Sequence, residues 1–112
     1  MGAEEEIRIM PRYNEKRIPY QTQEKLLDMF CDILKNMKKR QDVKDFLKDL
    51  LNRQERVMLV RRLLIADMLL RKLSYREITN KLRCGSSTIA RVERWLNFGR
   101  GGYKLAINHK VK

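Results

Sequence analysis

The feature that most limits the fold of this chain is the spacing of apolar residues between positions 74 and 98. After Ile78, apolar residues follow at offsets of 4, 6, 11, 14 and 18, which are Leu82, Cys84, Ile89, Val92 and Leu96. Two short helices joined by a tight turn can pack at a steep angle when a few apolar residues meet at their corner. The pattern therefore predicts a helix-turn-helix over residues 74–98, with Cys84 filling the turn.

Local signals indicate where the helices begin. Asn52 with Glu55, and Ser74 with Glu77, have the spacing of a capping box, in which each side chain bonds the other residue's amide. We expect Ser86 to cap the next helix, over residues 86–97. The helix that starts after Asn52 and runs to about residue 72 is apolar around much of its circumference, which is typical of a helix central to its fold.

The remainder of the chain divides into an arm, further helices and a tail. Residues 1–21 lack a period and contain both prolines, so we expect an extended or disordered arm. A helix capped by Thr22 is predicted over 22–39, and a short helix capped by Asp42 follows. Gly99 is a natural helix end, and we expect 104–112 to be a mobile basic tail. The helical domain is therefore predicted over 22–103.

The helix predicted over 86–97 has two contrasting faces. At 100° per residue, Ile89, Val92 and Leu96 form one stripe, and Ser87, Ala90, Arg91 and Arg94 lie opposite. Small residues allow a helix to approach the floor of the major groove, where arginine can bond guanine or hold phosphate. Hydroxyls and amides at a helix N-terminus also suit phosphate. The candidate DNA-binding residues are Ser86, Ser87, Thr88, Ala90, Arg91 and Arg94. An ordinary helical hairpin with a solvated basic face is the alternative.

The charge is concentrated in the second half of the chain. Residues 51–112 hold 15 Lys/Arg against 4 Asp/Glu, a net of +11, whereas residues 1–50 hold 11 against 10, a net of +1. Basic side chains gain from binding a polyanion because condensed counterions are released. Double-stranded DNA is the partner that this distribution favours, although a generally basic soluble protein is an alternative interpretation.

Several functional classes are disfavoured by what the sequence lacks. It offers no carboxylate cluster, no nucleophile with a base, no phosphate-binding glycine loop and no metal set, so we expect neither an enzyme nor a metal or cofactor site. Cys31 and Cys84 are far apart and His109 is the only histidine, so we expect buried free thiols in a reducing compartment. With neither an apolar signal segment nor a stretch long enough to cross a bilayer, the expected location is cytoplasmic.

Three segments, read together, resemble a known family. They are Ser74-Tyr75-Arg76-Glu77-Ile78, Ser87-Thr88-Ile89-Ala90-Arg91-Val92 and Leu96-Asn97-Phe98-Gly99-Arg100-Gly101-Gly102-Tyr103. The combination resembles the YerC/YecD branch of the Trp repressor-like proteins, without gaps from about Leu51 to Tyr103. The resemblance implies an all-α fold of about six helices, an intertwined homodimer and transcriptional regulation. A dimer would place two recognition helices in successive major grooves.

The resemblance also implies a possible effector site. Trp repressors bind L-tryptophan between the long helix and the recognition helix, and Arg61, Thr88 and Arg91 match ligand-contacting positions there. A threonine of that family corresponds to Leu51, which removes a polar contact. The three matches can also be interpreted as phosphate-facing or solvated residues. A second departure is Arg83, which stands where the family often has glycine; either Arg83 adopts a left-handed conformation or the turn is shifted.

Two functions of different classes remain open at this point. The first is a sequence-specific DNA-binding regulator, homodimeric and able to respond to a ligand. The second is a protein-interaction module whose basic face docks an acidic partner and binds DNA only nonspecifically. Strong, salt-dependent binding to duplex DNA with a sequence preference would separate the two.

Overall fold

The computed structural model describes residues 18–108, and that range contains six α-helices and no strand. The all-α expectation of about six helices is confirmed. In chain order, the helices are α1 Tyr20–Lys35, α2 Arg40–Leu50, α3 Arg53–Leu70, α4 Tyr75–Leu82, α5 Ser86–Phe98 and α6 Gly102–Asn108. The chain divides into two compact units at residues 47/48, and each unit is described by itself.

In the first unit, α1 begins earlier than its sequence pattern predicts. Pro19 rather than Thr22 occupies the N-cap. The Gln23 amide donates a hydrogen bond of 3.0 Å to the Pro19 carbonyl. The helix ends at Lys35, four residues before the predicted end. Residues 20 and 21 of the predicted arm are thus helical, and the part of that arm before residue 18 lies outside the described residues.

The first unit buries little of its apolar surface. The rings of Phe30 and Phe46 pack with their centroids 6.3 Å apart. No residue of α1 or α2 is buried, although both helices are amphipathic. The predicted cap Asp42 lies within the first turn of α2, which begins at Arg40. Cys31 is exposed, so its predicted burial is wrong.

The second unit contains a compact apolar core. Helix α3 packs against α4, α5 and α6, and α5 packs against α4 and α6. The buried cluster comprises Ile65, Ala66, Ile78, Cys84, Ile89, Val92 and Leu96. Five of these seven residues belong to the predicted corner, and the other two, Ile65 and Ala66, lie on α3. The predicted helix-turn-helix packing, including Cys84 in the turn, is confirmed.

Both predicted capping boxes form. The Glu55 amide donates to Asn52 Oδ1 at 2.8 Å, and the Asn52 amide donates to Glu55 Oε1 at 2.9 Å. At α4 the Glu77 amide donates to Ser74 Oγ at 3.1 Å, and the Ser74 amide donates to Glu77 Oε1 at 2.9 Å. These bonds satisfy amides that have no partner within the helix, and they fix the first residues of α3 and α4.

The turns on either side of α4 both pass through a left-handed residue. Arg83, which ends α4, has φ 54°, as one of the two sequence-based alternatives required. Lys72, after α3, has φ 68°, and the bonds from Lys72 to the Leu69 carbonyl and from Leu73 to the Met68 carbonyl form a Schellman motif. For a residue with a Cβ, this conformation costs about 1–2 kcal/mol.

The region after α5 is helical where the sequence pattern predicts a tail. Gly99 ends α5 as predicted, and a Cβ there would collide with the Trp95 carbonyl oxygen. Gly101, with φ 80°, then turns the chain into α6, whose Tyr103 and Ile107 pack against the core. Residues 104–108 of the predicted mobile tail therefore belong to a packed helix, and 109–112 lie outside the described residues.

None of the helices between residues 18 and 108 has both the length and the apolar composition that crossing a membrane requires.

Candidate nucleic-acid interface

Helix α5 separates its apolar and basic residues as the sequence predicts. Ile89, Val92 and Leu96 are buried against α3 and α4. The opposite face is exposed and carries Ser87, Ala90, Arg91 and Arg94, while Thr88 is half-buried at its edge. Burial of the first stripe fixes the rotation of the helix, so the two arginines necessarily face outward.

The N-terminus of α5 differs from its predicted form. Gly85 rather than Ser86 is the N-cap, and no side chain caps the helix. The amides of Thr88 and Ile89 donate to the Gly85 carbonyl at 3.2 and 3.4 Å. Ser86 and Ser87 are exposed, and their amides belong to the first turn, where the helix supplies no acceptor. An anion is therefore favoured at this end.

A hydrogen bond ties α5 to α4 beside the buried stripe. The Tyr75 hydroxyl donates to Glu93 Oε1 at 2.5 Å. That bond, with burial and the nearby negative charge, raises the pKa of Tyr75. Glu93 is thereby directed toward α4 and away from the face that carries Arg91 and Arg94, which leaves that face without an opposing carboxylate from its own helix.

Two exposed aromatic residues continue the basic face toward the C-terminal end of α5. Trp95 is 56% exposed and Phe98 is 80% exposed. The Arg94 guanidinium lies 6.0 Å from the centre of the Trp95 ring, within the range of a cation–π contact. Sequence reasoning missed both aromatics, although the helical period places them on the outer side with Arg91.

A pocket of about 270 Å³ lies between α3, α5 and the start of α6. It brings together Arg61, Thr88 and Arg91, the three residues that the resemblance assigns to an effector. The other lining residues are Met58, Arg62, Val92, Trp95 and Tyr103. Among these five, the helical period assigned a place only to Val92, on the buried stripe of α5. Arg62 is the neighbour of Arg61 in the sequence, so its place beside the pocket follows from that of Arg61. Tyr103 lines the pocket because α6 folds back onto the core, and the sequence pattern did not predict that packing.

The chemistry of the pocket suits a planar anion. Three arginines and two hydroxyl-bearing residues, Thr88 and Tyr103, line it, and none of its lining residues carries a carboxylate. Arginine forks bind carboxylate or phosphate in a bidentate manner, and both arginine and the indole of Trp95 stack on flat rings. Among residues 18–108, no group of histidine, cysteine or carboxylate side chains has the arrangement of a metal site.

Comparison with known proteins agrees with this architecture. The family model described as "Trp repressor protein" matches residues 25–111, which is well over half of the chain. The chain belongs to the Trp repressor family. The matched range starts before Leu51, where the sequence resemblance begins, and it includes most of α1 and all of α2.

Two relatives place the chain more closely within that family. An uncharacterized protein, YerC of Bacillus subtilis (strain 168), is 31% identical over 84 residues, which is 75% of this chain and 81% of YerC. The crystal structure of a TrpR-like protein from Eubacterium eligens has a TM-score of 0.66 and 28% identity, covering 88% of this chain and all of that one. The YerC-like resemblance is therefore confirmed, and the family's fold is that of helix-turn-helix DNA-binding regulators.

Proposed function

We propose that this chain is a sequence-specific regulator of transcription, acting as a repressor, that reads double-stranded DNA with α5. The observation that carries the proposal is the division of α5 into a buried stripe and an exposed face with two arginines and two small residues. The net charge of +11 on residues 51–112 and the membership of the Trp repressor family support it.

In the proposed complex, α5 lies in the major groove with its N-terminal half toward the bases. Ala90 and Ser87 permit close approach, and Arg91 and Arg94 extend to base edges or phosphates. Ser86, Ser87 and Thr88 offer hydroxyls, and the uncapped amides of the first turn offer donors to a backbone phosphate.

We propose further that the protein acts as a homodimer, with α3 in the shared interface. Large apolar residues of α3 are at least one-third exposed, namely Val57, Met58, Leu59, Val60, Leu63, Leu64 and Leu70. A monomer rarely exposes so many large apolar side chains on one helix, and burial against a second copy removes them from water. A twofold dimer would read two half-sites about 34–36 Å apart.

The pocket supports a proposed response to a small ligand such as L-tryptophan. Arg61, Thr88 and Arg91 line it together, and Thr88 and Arg91 also belong to the candidate DNA-binding set. A ligand held by Arg91 would fix that side chain and so change what it offers to DNA. The affinity for DNA and the affinity for the ligand must then be coupled equally in both directions.

The test is selection of bound duplexes from a random DNA pool at near-physiological salt, with and without L-tryptophan. We expect enrichment of a palindromic motif. The double variant Arg91→Ala/Arg94→Ala should lose the motif while retaining weak binding from its remaining charge. Arg61→Ala, on α3 and outside the DNA-binding set, should keep the motif and lose any effect of tryptophan.

Two other outcomes would change the proposal. If no motif is enriched and binding disappears as salt increases, the basic face is a nonspecific field, and the interaction-module function replaces this proposal. If a motif appears and is the same with and without tryptophan, the regulator stands and tryptophan is not its effector.

A further inference from the structure

Two basic residues of the helix-turn-helix region have a backbone conformation that favours glycine. Among residues 18–108, Lys72 and Arg83 are the non-glycine residues with positive φ, at 68° and 54°. Glycine adopts this conformation without steric cost, and asparagine does so more readily than lysine or arginine. The fold itself therefore gives no reason for a long cationic side chain at either position.

The two residues occupy the same place in a repeated local pattern. In each, a left-handed cation is followed by an apolar residue that packs into the core and then by the N-cap of the next helix. The first copy is Lys72-Leu73-Ser74 before α4, and the second is Arg83-Cys84-Gly85 before α5. Each cation thus lies two residues ahead of the N-cap of one helix of the helix-turn-helix.

Both side chains are exposed and have no acidic partner in the described part of the chain. Their neighbour Arg71 differs, because its Nε lies 3.3 Å from Asp67 Oδ2. A cation near a helix C-terminus can also compensate the helix dipole. That need is already met by Arg71 at the C-cap of α3 and by Lys81 in the last turn of α4.

We propose that Lys72 and Arg83 each hold one backbone phosphate of the DNA, fixing the approach of α4 and α5 to the duplex. The inference rests on the proposed DNA-binding function and adds two contacts to it. The eight residues of α4 separate the two cations by about 12 Å of helix rise, so they bind different phosphates. Contacts of this kind carry no sequence information and set orientation.

The experiment measures the affinity for the selected duplex as a function of salt for Lys72→Gly, Arg83→Gly and the double variant. Each lost phosphate contact should flatten the plot of log affinity against log salt by about 0.9, and the double variant by about twice that. The ratio of parent to single-variant affinity should then shrink about threefold between about 50 and 200 mM salt. The sequence motif should not change.

Folding is the independent readout. Because glycine relieves the left-handed strain, the melting temperature of each glycine variant should equal or exceed that of the parent protein. Lys44→Gln, on the exposed surface of α2, removes one charge elsewhere and should leave the slope unchanged. Arg83→Lys keeps a point charge and should keep the parental slope.

If the parent binds no duplex, the proposed function and this inference fail together. If the parent binds and both glycine variants keep its slope, the inference alone is overturned, whatever their melting temperatures. Asparagine variants at both positions, tested in parallel, must reproduce the flattened slope, since they also accept a left-handed backbone without supplying a cation.

Discussion

Helices α3 and α5 lie against the same core, yet they differ in how many of their apolar residues are buried. In α5 the large aliphatic residues Ile89, Val92 and Leu96 are buried, and arginines occupy the other side. In α3 only Ile65 and Ala66 are buried, and most of its large apolar residues remain exposed. Helix α5 buries its aliphatic residues within one chain, whereas α3 keeps large apolar residues exposed, and these form the surface proposed for a second copy.

The largest effect is expected from a charge placed among the exposed apolar residues of α3. Val60 is 53% exposed, so Val60→Asp should cost a monomer little. In a dimer with α3 at its interface, the aspartate would be buried without a partner and should weaken association by about 3–5 kcal/mol. Analytical ultracentrifugation should show a dimeric parent and a monomeric variant.

Gln54→Asp is the matched control, since it places the same side chain at an exposed polar position of α3. It should remain dimeric. Equal masses for the parent and Val60→Asp would show that this surface is not the interface.

Truncation of a buried residue between α4 and α5 should destabilise the protein. Ile78 is fully buried where α4 meets α5, so Ile78→Ala should lower the free energy of unfolding by about 2–5 kcal/mol through lost burial and a cavity. Urea denaturation measures this. Val57→Ala, on the exposed side of α3, should cost far less in a protein held monomeric by Val60→Asp. Comparable losses would mean that α3 packs within one chain after all.

The capping boxes and the α5 stripe could be predicted because short-range chemistry decides them. Asn52 and Ser74 bond amides three residues away, and the period that buries Ile89 requires no knowledge of distant parts of the chain. The same reasoning failed at Ser86, because the preceding Gly85 takes the N-cap. It failed for α6 because Tyr103 and Ile107 are held by tertiary packing, which a short glycine-led segment does not reveal.

The candidate site could also be predicted only where short-range patterns decide it. The outward position of Arg91 and Arg94 follows from the helical period. The pocket does not, because Arg61, Arg91 and Tyr103 come from three different helices. Only the family resemblance brought two of these residues together, and it gave no position for Tyr103.

The third prediction tests the exposed face of α5. Arg94→Ala should reduce affinity for the selected duplex by about 1–3 kcal/mol and relax the preference at one base pair if Arg94 bonds a base. Competition binding with singly substituted duplexes measures both effects. Lys44→Ala provides the control for loss of charge on the other unit. A loss that is equal for all duplexes would assign Arg94 to a phosphate.

The smallest effect is expected at the start of α4. Ser74→Ala removes the hydroxyl that accepts a hydrogen bond from the Glu77 amide and should destabilise the protein by about 1 kcal/mol. Bonds from Ser74 hold the pKa of Glu77 below its ordinary value. A lowered folded-state pKa stabilises the fold at pH values above the unfolded-state pKa, and the contribution is lost as the pH falls through the folded-state value.

The stability difference between the parent and Glu77→Gln should therefore be largest near neutral pH and should shrink as the solution becomes more acidic than about pH 4. Thermal melts across that range measure it. A difference that grew on acidification would contradict the assigned hydrogen bonds.

The position of Trp95 has an optical consequence. It is the single tryptophan of the chain, it lines the pocket with Arg61 and Arg91, and it lies beneath the guanidinium of Arg94. Its half-exposed indole therefore touches both the surface proposed for DNA and the cavity proposed for a ligand. Intrinsic fluorescence excited at the indole would report binding of DNA, or of any ligand that lacks an indole of its own, without a label.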